Sequence, residues 1–251
     1  MALSIALSGK GGVGKTTVAG MLIRYLIEKD KGPILAVDAD SNFNLNEVLG
    51  VTVEQTLGGV REEMKKGDVP AGMTKDRFMS MKLEETIIEE KDVDLVVMGQ
   101  PEGQGCYCAA NTLLSDFLRN LVVNYGYVVM DNEAGMEHIS RLTTSNIDYL
   151  LVVSDPSRRG LQAAERIAGL ARDLNIGARQ TFLILNNVRQ EPSEEIQKII
   201  DQAGLKLLGS IMADETIAEY DLNGRPTFEL PRDNQAVQSA FALFDSILDG
   251  K

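Results

Sequence analysis

The chain has 251 residues, 44% of them hydrophobic and 25% charged, which suits an ordinary globular protein with length enough for one sizeable core. Its formal net charge of −12, from 37 acidic and 25 basic residues, disfavours binding to a nucleic-acid backbone or an anionic membrane surface unless a local basic patch overrides the mean. No Lys/Arg-rich run does so: the nearest cluster, residues 61–66, interleaves its basic residues with two glutamates.

The chain opens MALSIALSGK, a short apolar run with no basic leader that ends at a glycine loop, so it reads as a first strand and not a signal peptide. Further apolar, Val/Ile/Leu-rich runs follow at 33–38, 93–99, 127–131, 149–154, 181–187 and 205–211. Stretches with a period near 3.6 alternate with them and predict helices over Thr16–Lys29, Asn111–Asn124, Leu161–Leu174 and Ser193–Ala203. Residues 44–92 are less regular, and the acidic run EETIIEEKD (84–92) is expected in solvent. The C-terminal AVQSAFALFDSILDGK is amphipathic with little positive charge, which fits a helix packed on the core better than a membrane-seeking tail.

Continuous apolar strands separated by helices predict an α/β fold: a mostly parallel sheet of about seven to eight strands, covered on both faces. With no internal repeat, low-complexity segment or Pro/Gly/Ser linker, residues 1–251 read as a single domain. No apolar run approaches the ~18 residues that span a membrane. Two cysteines and no export signal point to a reducing, cytoplasmic setting.

The loops at the strand C-termini are where open α/β sheets bind ligands. The first, SGKGGVGKTT (8–17), lies between strand and helix and matches G-x-x-x-x-G-K-[ST] through Gly9, Gly14, Lys15 and Thr16. In such a loop Gly9, Gly11, Gly12, Val13 and Gly14 turn backbone N–H groups onto phosphate oxygens at a helix N-terminus. Lys15 then supplies a point charge and Thr16, followed by Thr17, a hydroxyl for Mg2+. The second lysine, Lys10, gives GKGGVGKTT, which resembles the deviant Walker A motif of the P-loop ATPases that include the MinD, ParA and nitrogenase iron-protein families. That resemblance implies that Lys10 reaches the nucleotide of a partner subunit across a two-fold homodimer with ATP at its interface.

Asp38 and Asp40 follow the second strand in AVDADSNFNL, and Asp131 ends YVVMD and opens DNEAG. Carboxylates at those places can serve a Mg2+ ion and orient an attacking water. By the same resemblance they are switch I, with Asp40 positioning the water, and switch II, with Asp131 as the Walker B residue. The strand ending LNNVRQ lacks the N-K-x-D element of guanine-specific relatives, and Asn186 matches the residue that reads adenine. The segment LPRDNQ (230–235) is expected to line the base as well.

Cys106 and Cys108 sit in GQGCYCAAN, one residue apart, and in an extended segment both sulfurs face the same side. A buried structural pair, a strained redox-active disulfide and half of a metal site remain open on spacing alone. In a two-fold dimer, two such loops meeting at the axis would supply four thiolates. Such a set suits Ni2+, Zn2+, Cu+ or an iron–sulfur cluster. PEGQGCYCAAN together with DNEAGMEHISR and the phosphate loop is similar to the CooC-type nickel-insertion ATPases over essentially the whole chain.

That likeness implies an ATP- and Mg2+-dependent homodimer that carries nickel, or zinc in vitro, with carbon monoxide dehydrogenase as client. Acetyl-CoA synthase, a MinD/ParA-like positioning role and an electron-transfer iron–sulfur protein are the alternatives. The last is disfavoured because 131–141 contains no cysteine, unlike the nitrogenase iron protein. Glu137 and His138 read as a helix-surface pair on which this reading does not depend.

Overall fold

A computed structural model of the chain describes residues 2–66, 69–70, 72–99, 116–133, 147–174 and 177–249. Its strands are β1 (Leu3–Gly9), β2 (Ile34–Ala39), β3 (Ile88–Glu89), β4 (Asp94–Val97), β5 (Tyr127–Asn132), β6 (Tyr149–Ser154), β7 (Gln180–Val188) and β8 (Leu207–Met212). They form one sheet in the order β3-β4-β2-β5-β1-β6-β7-β8. Every pair is parallel except β3–β4.

The helices are α1 (Lys15–Glu28), α2 (Leu45–Leu49), α3 (Leu57–Lys66), α4 (Lys75–Glu84), α5 (116–122), α6 (Arg158–Asp173), α7 (Glu194–Gln202), α8 (Glu215–Leu222) and α9 (Gln235–Leu248). A 3-10 turn covers Thr227–Glu229.

The central strands are buried along most of their length, as in β2 and β6, because both faces of the sheet are covered. In β1, Ile5 and Leu7 join one core cluster with Leu22 and Tyr25 of α1 and Phe244 of α9. Ala6 turns to the other face and joins Leu161 and Ala168 of α6. The alternation follows from the two-residue period of a strand. The C-terminal helix is core, as its pattern predicts: Ala240, Phe244 and Leu248 are fully buried. Tyr25 meets Phe241 and Phe244 edge-on at 5.4 and 5.6 Å, and its hydroxyl donates to Asp245 Oδ1 at 2.9 Å.

Two expectations change. The acidic run 84–92 is not wholly solvated: Ile88 pairs with Leu95 across the antiparallel edge, and Thr86 is buried with its hydroxyl on the Leu83 carbonyl. A two-residue edge strand leaves no periodic signature in a sequence. The helix over Leu161–Leu174 starts three residues earlier, because the Ser157 hydroxyl accepts the Gly160 N–H at 3.0 Å and caps it. Of the helix expected over Asn111–Asn124, only 116–124 lies among the described residues, and it is helical to residue 122.

The connectivity positions the site. From β1 the chain crosses to β2 and β4, then returns to insert β5 between β2 and β1. This brings the C-terminal ends of β1, β2 and β5 side by side, with Asp131 in register with both Leu7 and Asp38. Open α/β sheets form their ligand crevice at such a reversal of strand order.

Candidate functional site

The loop between β1 and α1 is shaped by backbone conformations that glycine favours. Gly12 and Gly14 lie in the left-handed region, at φ 77° and 84°. Gly14 is also the N-cap of α1, and a Cβ there would run into the Asn186 side-chain amide. No side chain caps α1 and its first turn holds no acidic residue. Its leading N–H groups and the positive end of its dipole are therefore left to an external anion. Lys15 is nearly buried, at 8% exposure, and its Nζ donates to the Lys10 carbonyl at 3.3 Å, while Lys10 itself is exposed.

A cleft of about 1070 Å3 opens over this loop. Lys15 and Thr16 form part of its floor, with Asp40 and Asn44 on one wall and Asp221 and Arg225 on the other. The volume accommodates a nucleotide.

The three aspartates have different surroundings. Asp38 is fully buried and both its oxygens are engaged: Oδ1 accepts the Asp40 N–H at 3.0 Å, and Oδ2 accepts those of Asn44 and Leu45 at 3.0 and 2.9 Å. Burial raises its pKa while these three amides pull it back. Asp38 therefore organises the loop and the start of α2. Asp40, which that loop carries, lines the cleft and accepts the Asn42 N–H at 2.9 Å.

Asp131 is 2% exposed, and burial pushes its pKa up to about 7, with the Asp38 carboxylate adding to the rise. A hydrogen bond from the Thr16 hydroxyl and the charge of Lys15 oppose that rise. Its Oδ1 is buried without a hydrogen-bond partner among the described residues. A buried, unsatisfied carboxylate oxygen beside a threonine hydroxyl is the donor set a hard divalent cation takes, so these residues fit Mg2+. The adjacent Asn132 pins the end of β5 to β1 by donating to the Leu7 carbonyl at 2.8 Å.

The residues expected at the base are placed as follows. Asn186 is 7% exposed, packs against Gly14 of the phosphate loop, and its Nδ2 donates to the Val13 carbonyl at 2.8 Å. That bond ties the side chain to the phosphate loop and takes one of the two N–H groups of its amide. LPRDNQ leads into α9, whose N-terminus Asn234 Oδ1 caps by accepting from Ala236 and Val237. The wall is made by the preceding residues 221–227. There Arg225 stacks on the Tyr220 ring, with Cζ 4.0 Å from the centroid, and donates to the Tyr220 hydroxyl at 3.0 Å. In the sequence, Gly224-Arg225-Pro226 signals only a turn.

Cys106, Cys108, Glu137 and His138 lie outside the described residues. Among the described residues no group of three or more His, Cys, Asp and Glu side chains is arranged to hold a metal, and no helix is long and apolar enough to cross a membrane.

Comparison with known proteins fits this geometry. Residues 4–228 match the family model of the CobQ/CobB/MinD/ParA nucleotide-binding domain. An uncharacterized ATP-binding protein of Methanocaldococcus jannaschii is 44% identical, with 98% of this chain and 99% of that protein covered. The carbon monoxide dehydrogenase accessory protein CooC of Rhodospirillum rubrum is 34% identical over 91% of this chain and 90% of its own. In fold, the chain resembles the septum site-determining protein MinD of Pyrococcus horikoshii, solved with Mg-ADP. That likeness has a TM-score of 0.72 at 24% identity and covers 99% and 97% of the two chains. A phosphate loop at the switch point of a parallel sheet, matched along most of the chain by these relatives, places it in the CobQ/CobB/MinD/ParA nucleotide-binding family as a P-loop ATPase of the MinD/ParA class.

Proposed function

We propose that this ATPase is a metallochaperone that carries nickel on Cys106 and Cys108 and helps to insert it into a carbon monoxide dehydrogenase. The observation that carries this reading is the collinear 34% identity to a carbon monoxide dehydrogenase accessory protein over nine-tenths of both chains. The C-x-C pair supplies the soft ligands such a cargo needs.

The chain's own residues divide the work. The N–H groups of Gly11 to Thr17 bind the phosphates, and Lys15 neutralises charge on the β- and γ-oxygens. Thr16 and Asp131 hold Mg2+, which when bound supplies charge neutralisation on the triphosphate. Asp40 orients the attacking water from the loop that Asp38 shapes. Lys10, exposed at the loop entrance, reaches the partner subunit's nucleotide in a homodimer. Dimer closure then brings two C-x-C pairs together as four thiolates for one metal ion, and hydrolysis reopens the dimer for transfer to the client.

A MinD-like positioning role at a membrane would call for a free basic amphipathic helix. Burial of Phe244 and Leu248 in the core weighs against assigning α9 that part. The decisive experiment measures nickel stoichiometry and dimer mass with and without ATP for wild type, Cys106→Ala and Cys108→Ala. About one nickel per dimer is expected, by the four-ligand argument, and it is lost in either variant while ATP binding persists. Nickel binding that survives removal of both thiols refutes the site. Maturation assays with carbon monoxide dehydrogenase and acetyl-CoA synthase identify the client.

A further inference from the structure

Arg24 is a charged residue buried in α1, 7% exposed and well away from the phosphate loop. Its guanidinium is spent on a segment far along the chain: Nη1 donates to the Phe228 and Leu230 carbonyls at 3.1 and 2.5 Å. Nε pairs with Glu28 at 2.8 Å, and Glu28 also takes Arg232 at 3.2 Å. Burying a cation in this way is costly, and its hydrogen bonds to main-chain carbonyls fix the far segment rather than a substrate.

The segment it fixes touches the catalytic side of the cleft through α2. Gly50, which ends α2 at φ 75°, lies so close to Pro226 that a Cβ there would approach the proline Cγ to 2.7 Å. On its other side α2 rests on α1, where Gly20 leaves room for Val48 that no Cβ could share. The short helix is thus held between α1 and the Pro226 segment. Its N-terminal end is tied to Asp38 by the Asn44 and Leu45 amides, and it continues directly from the loop that carries Asp40. A five-residue helix has little stability of its own, so its place depends on these supports.

We propose that Arg24 is a positioning residue for hydrolysis. It clamps residues 226–230 to α1, that segment braces α2, and α2 sets the Asp40 loop over the γ-phosphate position. The inference rests on the reading of Asp40 as the water-orienting group. Because the phosphate loop and its Asn186 support are untouched, loss of the clamp slows turnover and leaves ATP affinity in place.

The test compares kcat, KM and directly titrated ATP affinity for wild type, Arg24→Met, Arg24→Lys, Pro226→Ala, the Arg24→Met/Pro226→Ala double variant and Asp40→Asn, with thermal unfolding recorded for each. Arg24→Met and Pro226→Ala are each expected to lower kcat about 5- to 20-fold, a modest mispositioning cost, and Arg24→Met, which lies outside the cleft, keeps ATP affinity within about 2-fold. Arg24→Lys, which keeps one donor group, recovers part of the loss. The double variant is no slower than about the worse single one, since both break the same brace. If Asp40→Asn turns over normally, the assignment of Asp40 fails. If Asp40→Asn is inactive while folded Arg24→Met or Arg24→Lys keeps wild-type kcat, the positioning role is overturned. Loss of ATP affinity with unchanged kcat overturns it equally.

Discussion

Replacing Asp131 by asparagine should stabilise the resting protein while stopping its chemistry. Burial pushes the Asp131 pKa from 3.8 to about 7, and at about 1.4 kcal/mol per pH unit the ionised carboxylate costs the fold on the order of 4 kcal/mol. Asparagine keeps the shape and removes that charge, but it introduces N–H donors into a buried site, an offset of about 1–3 kcal/mol. The net gain at neutral and alkaline pH is therefore about 1–3 kcal/mol. The pH dependence carries a sign. Between about pH 4 and pH 7 the native state holds a proton that the unfolded chain has released, so wild-type stability falls as pH rises through that window and levels off above it. The substituted amide does not titrate, so the Asp131→Asn variant is about 1–3 kcal/mol less stable than wild type near the lower end, overtakes it as pH rises toward about 7 and keeps a constant advantage beyond. Urea unfolding in EDTA without nucleotide, repeated across this range, measures it. Mg2+-dependent hydrolysis by the variant should be at least ~100-fold below wild type, as expected when a group holding the ion is lost. A variant less stable than wild type above about pH 7, or a stability difference independent of pH, would refute the reasoning.

Three further outcomes are accessible to standard assays. Gly14→Ala combines left-handed strain with a Cβ against the Asn186 amide; calorimetry should show about 2 kcal/mol lost and ATP binding sharply weakened. Phe244→Ala empties a fully buried aromatic site beside Tyr25 and should cost about 3–5 kcal/mol in chemical denaturation, whereas a loss below about 1 kcal/mol would show that α9 is not core. Lys10→Ala should lower the hydrolysis rate about 10^3-fold or more while leaving monomer ATP binding within a few-fold, and normal turnover would end the in-trans role.

The phosphate loop was legible because its chemistry is written in consecutive residues: Gly12, Gly14, Lys15 and Thr16 need only each other and the helix they open. The parallel sheet was legible because both faces of each strand are buried, which leaves continuous apolar runs such as YLLVVS. What escaped depends on partners distant in sequence. Nothing local marks Asp38 as the acceptor of three amides or Asn186 as a prop for Val13, since the same side chains at strand ends also suit ligand contact. The helices α2 to α4 were missed because they are short, at five to ten residues each. The 221–227 wall was missed because Arg24, which anchors the adjoining residues, lies some two hundred positions earlier.

The insertion of β5 between β1 and β2 also has a consequence for biosynthesis. A ribosome delivers the phosphate loop long before the rest of the site, since β1 has neither of its sheet neighbours until β5 and then β6 have emerged. Each of those pairings must close a long loop before it gains any contact energy. Asp131 also arrives only with β5. The growing chain thus exposes an apolar strand and a glycine-rich loop for much of its synthesis, and it becomes able to hold Mg2+ and nucleotide together only once the middle of the sheet is complete. Nucleotide binding by stalled chains of increasing length should be absent until β6 has emerged and reach full strength only with Asn186 and the 221–227 wall, which makes ATP itself a reporter of how far the sheet has folded.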